Sequence, residues 1–190
     1  MDISGQYRIA LPREEVWKAL MEPSVLRRCV PGCESLEQIG PDKYRAKVAL
    51  VIGPAKAVFD TELRVSNKKP PERYRLSGEG KGGALGFGQG NADIVLMADG
   101  TATVLKYTAG FQVGGRLAQI GSRLVLGASR MLVDAFFENL GKILGGGPVA
   151  GAAFGESHPG PARRLTLWLA LAILLVTALV LWLLVSGNAA

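Results

Sequence analysis

Histidine is almost missing from this chain: His158 is the only one among 190 residues, and cysteine is limited to Cys29 and Cys33. A lone histidine in a Gly- and Pro-rich stretch cannot complete a Ser-His-Asp set with residues of a folded domain. The two cysteines form a C-x3-C pair with no second pair or nearby histidine to complete four zinc ligands. Free thiols are their default state in a reducing cytosol. Paired acids are missing too. Asp60 and Glu62 share the wet side of one alternating segment, and Asp93 stands alone. A concentrated basic patch is also lacking: 22 Lys+Arg face 16 Asp+Glu, and this mild excess is spread over many segments, which argues against nucleic acid as a partner. The last absence is the most informative, because no residue after Arg164 carries a charge.

From Leu165 to Val185, 19 of 21 residues are apolar, interrupted by Thr166 and Thr177. A helix from Leu165 to Ser186 is about 33 Å long at 1.5 Å per residue, enough for a hydrocarbon layer of about 30 Å. Trp168 and Trp182 sit near its ends, where indole rings favour the lipid-water interface, and Arg163 and Arg164 precede it. With no charge on the far side, the positive-inside rule keeps the preceding domain cytoplasmic. The arginines also suit anionic head groups. The expectation is a single-pass tail anchor in the cytoplasmic membrane, with membrane lipid as one partner. Between domain and anchor, GGGPVAGAAFGESHPGPA from Gly145 to Ala162 has one charge and few bulky side chains. It reads as a flexible linker spanning roughly 20 to 25 Å.

The remaining residues are patterned as a globular domain. Met1 to Leu11 reads as a strand. Pro12, then Glu14 and Glu15, suit the start of a helix that places Val16, Trp17 and Leu20 on one side. A second short helix is expected from Pro23 to Cys29, closed by Pro31-Gly32. From Ser35 to Gly110 the period falls to two. Tyr44, Ala46, Val48, Leu50 and Ile52 alternate with Arg45, Lys47 and others, and Ala57, Phe59, Thr61, Leu63 and Val65 with Lys56, Asp60, Glu62 and Arg64, which gives about six half-buried antiparallel strands. Gly78 to Gly90 contains seven glycines in thirteen positions, and its GxGxxG spacing lies between strands. It therefore does not open a dinucleotide-binding helix. Bulges or a pliant hairpin with Leu85 and Phe87 over a cavity mouth fit better.

Val113 to Leu144 reads as one long helix, with Leu117, Ile120, Leu124, Ala128, Met131, Ala135 and Leu140 as its apolar stripe and Arg116, Arg123 and Arg130 on a wetter flank. Gly114, Gly115, Gly121 and Gly127 in or beside it serve either close packing on the sheet or space for a bulky apolar ligand beside Leu117, Ile120 and Leu124. The order of elements gives an α+β fold in which a curved antiparallel sheet wraps one helix, the helix-grip arrangement. The domain plan is 1–144 for this fold, 145–164 for the linker, 165–186 for one C-terminal transmembrane helix and 187–190 for a short tail.

The run PGCESLEQIGPDKYRAKVALVIGPAKAVFD, then RYRLSGEGKGG, TVLKYTAGFQVGGRLAQIGSRLV and DAFFENL, resembles the carbon monoxide dehydrogenase G-subunit (CoxG) family of the START-like, or SRPBCC, helix-grip superfamily. The resemblance covers about Met1 to Leu144. It implies a seven-stranded sheet gripping the last helix, with a hydrophobic pocket between them. It also implies a non-enzymatic adaptor that recruits a cytosolic molybdenum hydroxylase of carbon monoxide dehydrogenase type to the membrane and binds a respiratory quinone, menaquinone or ubiquinone. The inward strand faces and the helix stripe nominate Phe59, Leu76, Phe87, Tyr107, Leu117, Ile120, Gly121 and Leu124 as pocket lining. The Tyr107 hydroxyl is a candidate donor to a quinone carbonyl, with an ordinary core tyrosine as the alternative. Other readings are a lipid or isoprenoid carrier without a redox partner, and a START-like cyclase or hydrolase, which the missing histidine and acid pair disfavour.

Overall fold

Side-chain alternation decides which face of each strand turns inward, and the sheet follows from it. The structure is a computed structural model that describes residues 1–145 and 150–152. Linker residues 146–149 and 153–164, His158 among them, the segment 165–186 with Leu165, Trp168 and Trp182, the flanking Arg163 and Arg164, and the tail 187–190 lie outside the described residues. Among the described residues no helix is long and apolar enough to cross a membrane.

Strand β1, Asp2–Ile9, buries Ile3, Gly5, Tyr7 and Ile9, every second position. Helix α1, Arg13–Leu20, starts after Pro12 and carries Glu14 and Glu15 in its first turn, where the positive end of the helix dipole favours them. Helix α2 spans Pro23–Cys29, the bounds that the sequence pattern predicts; the Glu22 carboxylate caps it by accepting from the Ser24 backbone N–H. The chain then turns at Gly32 with φ +72, and a Cβ there would lie 2.1 Å from the Ala49 carbonyl oxygen. That close approach is sealed by the Ala49 N–H donating to the Gly32 carbonyl at 2.8 Å, so only glycine fits the corner.

Strands β2 (Cys33–Gly40), β3 (Lys43–Ile52), β4 (Ala55–Lys69), β5 (Arg73–Lys81), β6 (Phe87–Asp99) and β7 (Ala102–Gly114) form an antiparallel meander, and β7 pairs with β1. A further strand, β8 (Ala150–Ala152), pairs with the other edge of β1, giving the order β2-β3-β4-β5-β6-β7-β1-β8. Three residues of the segment read as flexible linker are therefore part of the sheet. Small side chains and backbone hydrogen bonds suffice to add a strand to an open edge, without an apolar face of their own.

The long C-terminal helix departs from the sequence reading. Val113 and Gly114 end β7, a short helix α3 covers Arg116–Gln119, and α4 runs Ser122–Leu144. Gly121, at φ +96, separates the two helices. This break resets the helical phase, so the predicted stripe does not run through it. Val125, Phe137 and Leu140 are buried, whereas Leu124 and Met131 are 52% and 73% exposed. Gly121 and Gly127 have open space where a side chain would stand, so neither packs tightly on the sheet; Gly114 and Gly115 lie at the end of β7 and in the turn after it. The C-terminal half of α4 packs into one cluster with Tyr7, Ile9, Val16, Leu20, Leu96 and Leu105. A second cluster at the other end joins Val125 to Ile52, Phe59 and Leu117.

Candidate functional site

Inward residues of β3 to β7 face the α4 side chains across an unfilled space of about 600 Å³. That is within the range of about 300 to 1,000 Å³ usual for small-molecule sites. Its wall is overwhelmingly apolar: Val48, Leu50, Phe59, Leu63, Leu76, Ala92, Ala109 and Phe111 come from the sheet, and Ala128, Leu132, Val133 and Phe136 from α4. Gly78, Gly80, Gly88 and Gly90 also line it. The glycine-rich segment thus forms the ends of β5 and β6 with a tight 3₁₀ turn at Gly83–Leu85 between them. Leu63, Thr61 and Phe111 occupy the space that side chains at Gly78, Gly80 and Gly90 would take, while Gly88 has only ordinary contacts at 3.8 Å. A hollow of about 670 Å³ on the sheet is lined by Glu62, Arg64, Glu79 and Gln89. Its polar wall suits water better than an apolar ligand.

Of the nominated residues, Phe59, Leu76, Tyr107 and Leu117 line the cavity, and Phe87, Ile120, Gly121 and Leu124 do not. Phe87 shares its strand face with Gln89 and Asn91, the face opposite that of Gly88 and Gly90; it is 42% exposed. Ile120, Gly121 and Leu124 are displaced by the break before α4. Ile120 and Leu124 approach Gly53 at the tip of the β3–β4 hairpin. These residues gather instead at the outer end of the sheet. There Val51, Phe87 and Leu124 are exposed, and the same segments carry Lys56, Arg116 and Arg123, all exposed, with no carboxylate in Leu50–Val58, Gly82–Gly90 or Phe111–Ala128.

Tyr44, Tyr74 and Tyr107, with Thr61 and Ser129, are among the polar side chains of the cavity. Tyr107 lines it and stacks on Tyr7, with ring centroids 6.2 Å apart; Tyr7 in turn stacks on Phe137 at 4.0 Å. The Tyr7 hydroxyl donates to Asp134 Oδ1 at 2.5 Å, a contact across 127 positions of sequence. Burial first, then the bond to Asp134, pushes the Tyr7 phenol up from its ordinary pKa, and burial does the same to Tyr107 and Tyr74. All three therefore remain hydrogen-bond donors at neutral pH. The sequence pattern places Tyr107 inward but does not join it to Tyr7 and Asp134. A signal was present: Asp134 is the one charge within the run Met131 to Phe137.

The two cysteines are free. Cys29 has no exposed surface, and burial raises its pKa to about 11. Burial also raises that of Cys33, which is partly exposed and donates to the Ser35 carbonyl at 3.3 Å. Neither is poised as a nucleophile. At pH 8 a water-soluble disulfide reagent is expected to titrate one thiol per folded chain, Cys33, slowly, and two in guanidinium chloride. Rapid reaction of Cys29 in the folded chain would contradict this burial. Among the described residues no group of three or more His, Cys, Asp or Glu is placed to hold a metal ion.

The chain matches the family model of the carbon monoxide dehydrogenase G-subunit (CoxG) over residues 5–145. The crystal structure of a conserved protein from Geobacillus kaustophilus is 36% identical, with 80% of this chain and 99% of that one covered and a TM-score of 0.73. A Thermus thermophilus protein, 16% identical, covers 77% of this chain and 99% of its own at a TM-score of 0.59. The Zhui aromatase/cyclase from Streptomyces sp. R1128, 12% identical, covers 75% and 92% at 0.57. These last two likenesses concern the fold alone, which is of helix-grip type. No curated protein matches the chain in a sequence comparison.

Proposed function

The chain belongs to the carbon monoxide dehydrogenase G-subunit (CoxG) family, and we propose that it is a non-enzymatic adaptor that holds a respiratory quinone, menaquinone or ubiquinone, beside the membrane for a cytosolic molybdenum hydroxylase. The observation that carries this reading is the apolar cavity of about 600 Å³ between the sheet and α4. A quinone head group and the first units of its isoprenoid chain match such a wall. Burying each methylene is favourable by about 0.8 kcal/mol relative to water and close to neutral relative to lipid. Selectivity must then come from head-group contacts and from shape.

Two further features support a membrane setting. The segment from Leu165 to Val185 has the length and composition of a single span, with Arg163 and Arg164 at one end and Trp168 and Trp182 near its two ends. The outer end of the sheet combines exposed Val51, Phe87 and Leu124 with Lys56, Arg116 and Arg123. Apolar side chains flanked by cations suit an anionic lipid surface. In this reading the anchor holds the domain on the cytoplasmic side, and the rim meets the bilayer from which the ligand is drawn.

Mass spectrometry of organic extracts from the purified full chain tests the ligand. A bound quinone is the expected result. Recovery of phospholipid alone favours the lipid-carrier reading, and an empty protein that binds no added quinone overturns both. Docking is tested separately: deleting the protein is expected to release the molybdenum hydroxylase from the membrane fraction, and an enzyme that stays membrane-bound refutes recruitment.

A further inference from the structure

Most of the cavity wall is apolar, with Tyr44, Thr61, Tyr74, Tyr107 and Ser129 among its polar side chains; of these, Tyr107 stacks on a second tyrosine, Tyr7. Tyr107 comes from β7 and Tyr7 from β1, strands paired so that Tyr7 lies opposite Leu105 and Tyr107 opposite Gly5. A side chain at position 5 would stand 2.8 Å from the Tyr107 ring and 3.0 Å from its hydroxyl oxygen. Glycine there lets the ring lie flat across β1, parallel to Tyr7 within 13°. Phe137 closes the stack from α4, its ring 4.0 Å from Tyr7 and 6.5 Å from Tyr107. One turn earlier on the same helix, Asp134 accepts the Tyr7 proton. Three elements thus hold two phenols in fixed positions at the border between cavity and surface.

We propose that Tyr107, backed by Tyr7 and Asp134, is the polar handle that orients a cavity ligand by a ring oxygen, and that it serves both carbonyl and hydroxyl forms of that oxygen. This deepens the quinone reading above and rests on it. The reasoning follows the protons. Tyr7 has one hydroxyl proton and gives it to Asp134, so its oxygen is left as an acceptor. The Tyr107 ring lies parallel to that of Tyr7, with centroids 6.2 Å apart, and in this proposal its hydroxyl has two uses for its own proton, the ligand or the Tyr7 oxygen. With a carbonyl in the cavity, Tyr107 donates to the ligand. With a ligand hydroxyl, Tyr107 turns its proton to the Tyr7 oxygen and accepts from the ligand instead. In the hydroxyl state the chain of donors runs from the ligand through Tyr107 and Tyr7 to the Asp134 carboxylate, and polarisation along it strengthens each bond. Burial keeps both phenols protonated, so the handle needs no ionised tyrosine in either state. Tyr107 is the ligand-touching residue here, and Tyr7 and Asp134 are positioning residues.

The test uses the full chain in detergent micelles and three probes of similar bulk: menadione, a methylated naphthoquinone with two carbonyls; menadiol, its reduced form, under anaerobic conditions; and methylnaphthalene, which has no oxygen. Tyr107→Phe retains the ring and is expected to weaken menadione and menadiol about three- to tenfold, with methylnaphthalene unchanged. Tyr7→Phe removes the oxygen that receives the Tyr107 proton. It is expected to weaken menadiol about threefold more than menadione, a shift in preference that general loosening of the core does not produce. Tyr74→Phe, the same change at a cavity tyrosine outside the stack, is expected to weaken menadione less than Tyr107→Phe does. The handle is overturned if Tyr107→Phe leaves menadione unaffected, if it weakens methylnaphthalene equally, or if Tyr74→Phe has the larger effect. Failure of all three probes to bind the unaltered chain overturns the quinone reading together with this one.

Discussion

Gly88→Phe is expected to weaken menadione binding by about ten- to a hundredfold while leaving the melting temperature within a few degrees of the parent. Gly88 lines the cavity from β6, in register between Gly80 and Val113, both also part of the wall. Its backbone is not in the left-handed region, and a Cβ would meet only the Gln112 carbonyl and a Val113 methyl, both at 3.8 Å. A side chain can therefore be added without moving the strand. Neighbouring glycines do not offer this: at Gly78 the Cβ would lie 2.5 Å from a Leu63 methyl, and at Gly90 2.7 Å from the Gly110 carbonyl. A benzyl group at position 88 points into the hollow and covers surface that a ligand would otherwise bury. Contact area equal to one aromatic ring is worth about 1.5 to 3 kcal/mol, which sets the expected loss. Titration of the full chain with menadione measures it. Unchanged affinity in a folded Gly88→Phe protein would place the ligand outside this cavity.

Leu140→Ala is expected to lower stability by about 2 to 5 kcal/mol. Leu140 has no exposed surface and joins α4 to Ile9, Val16, Leu20, Cys29, Leu96 and Leu105 in the larger apolar cluster. Next to it, Asn139 donates to the Cys29 carbonyl at 3.1 Å, tying α4 to α2. Helix and strands meet here without the unfilled space found further along, so the deleted side chain leaves a void that its neighbours close only in part. For a domain of this size a loss of about 3 kcal/mol corresponds to a drop of roughly 6 to 12 °C in melting temperature. Thermal unfolding followed by circular dichroism gives the value. Met131→Ala is the matched comparison: Met131 is on the same helix but 73% exposed, and its removal is expected to shift the midpoint by less than about 2 °C. Equal effects at the two positions would contradict the observed burial of α4.

These two positions also mark how far the sequence can be read. Leu140 belongs to the predicted apolar stripe and is buried, whereas Leu124 and Met131 belong to the same stripe and are exposed. A continuous period of 3.6 from Val113 onward assumes one helix, and the positive φ at Gly121 breaks it. Gly88, read as part of a pliant glycine-rich hairpin, is instead a wall of the cavity. Glycine has no side chain whose alternation would reveal the face it occupies.

Local pattern was enough for the α+β character, the bounds of α2 and the alternation of β3 and β4. Each of these depends on residues within one or two turns of helix or one strand, where φ/ψ preference and hydrophobic period act locally. Packing of the whole domain was needed to settle which of Phe59, Leu76, Phe87, Tyr107, Leu117, Ile120, Gly121 and Leu124 share a cavity, because helix phase after a break is set by the surfaces that meet. It also brought Tyr7 to Asp134 across 127 positions and added Ala150–Ala152 to the edge of β1. Contacts at that separation come from the closure of the whole sheet around α4, and no local pattern encodes them.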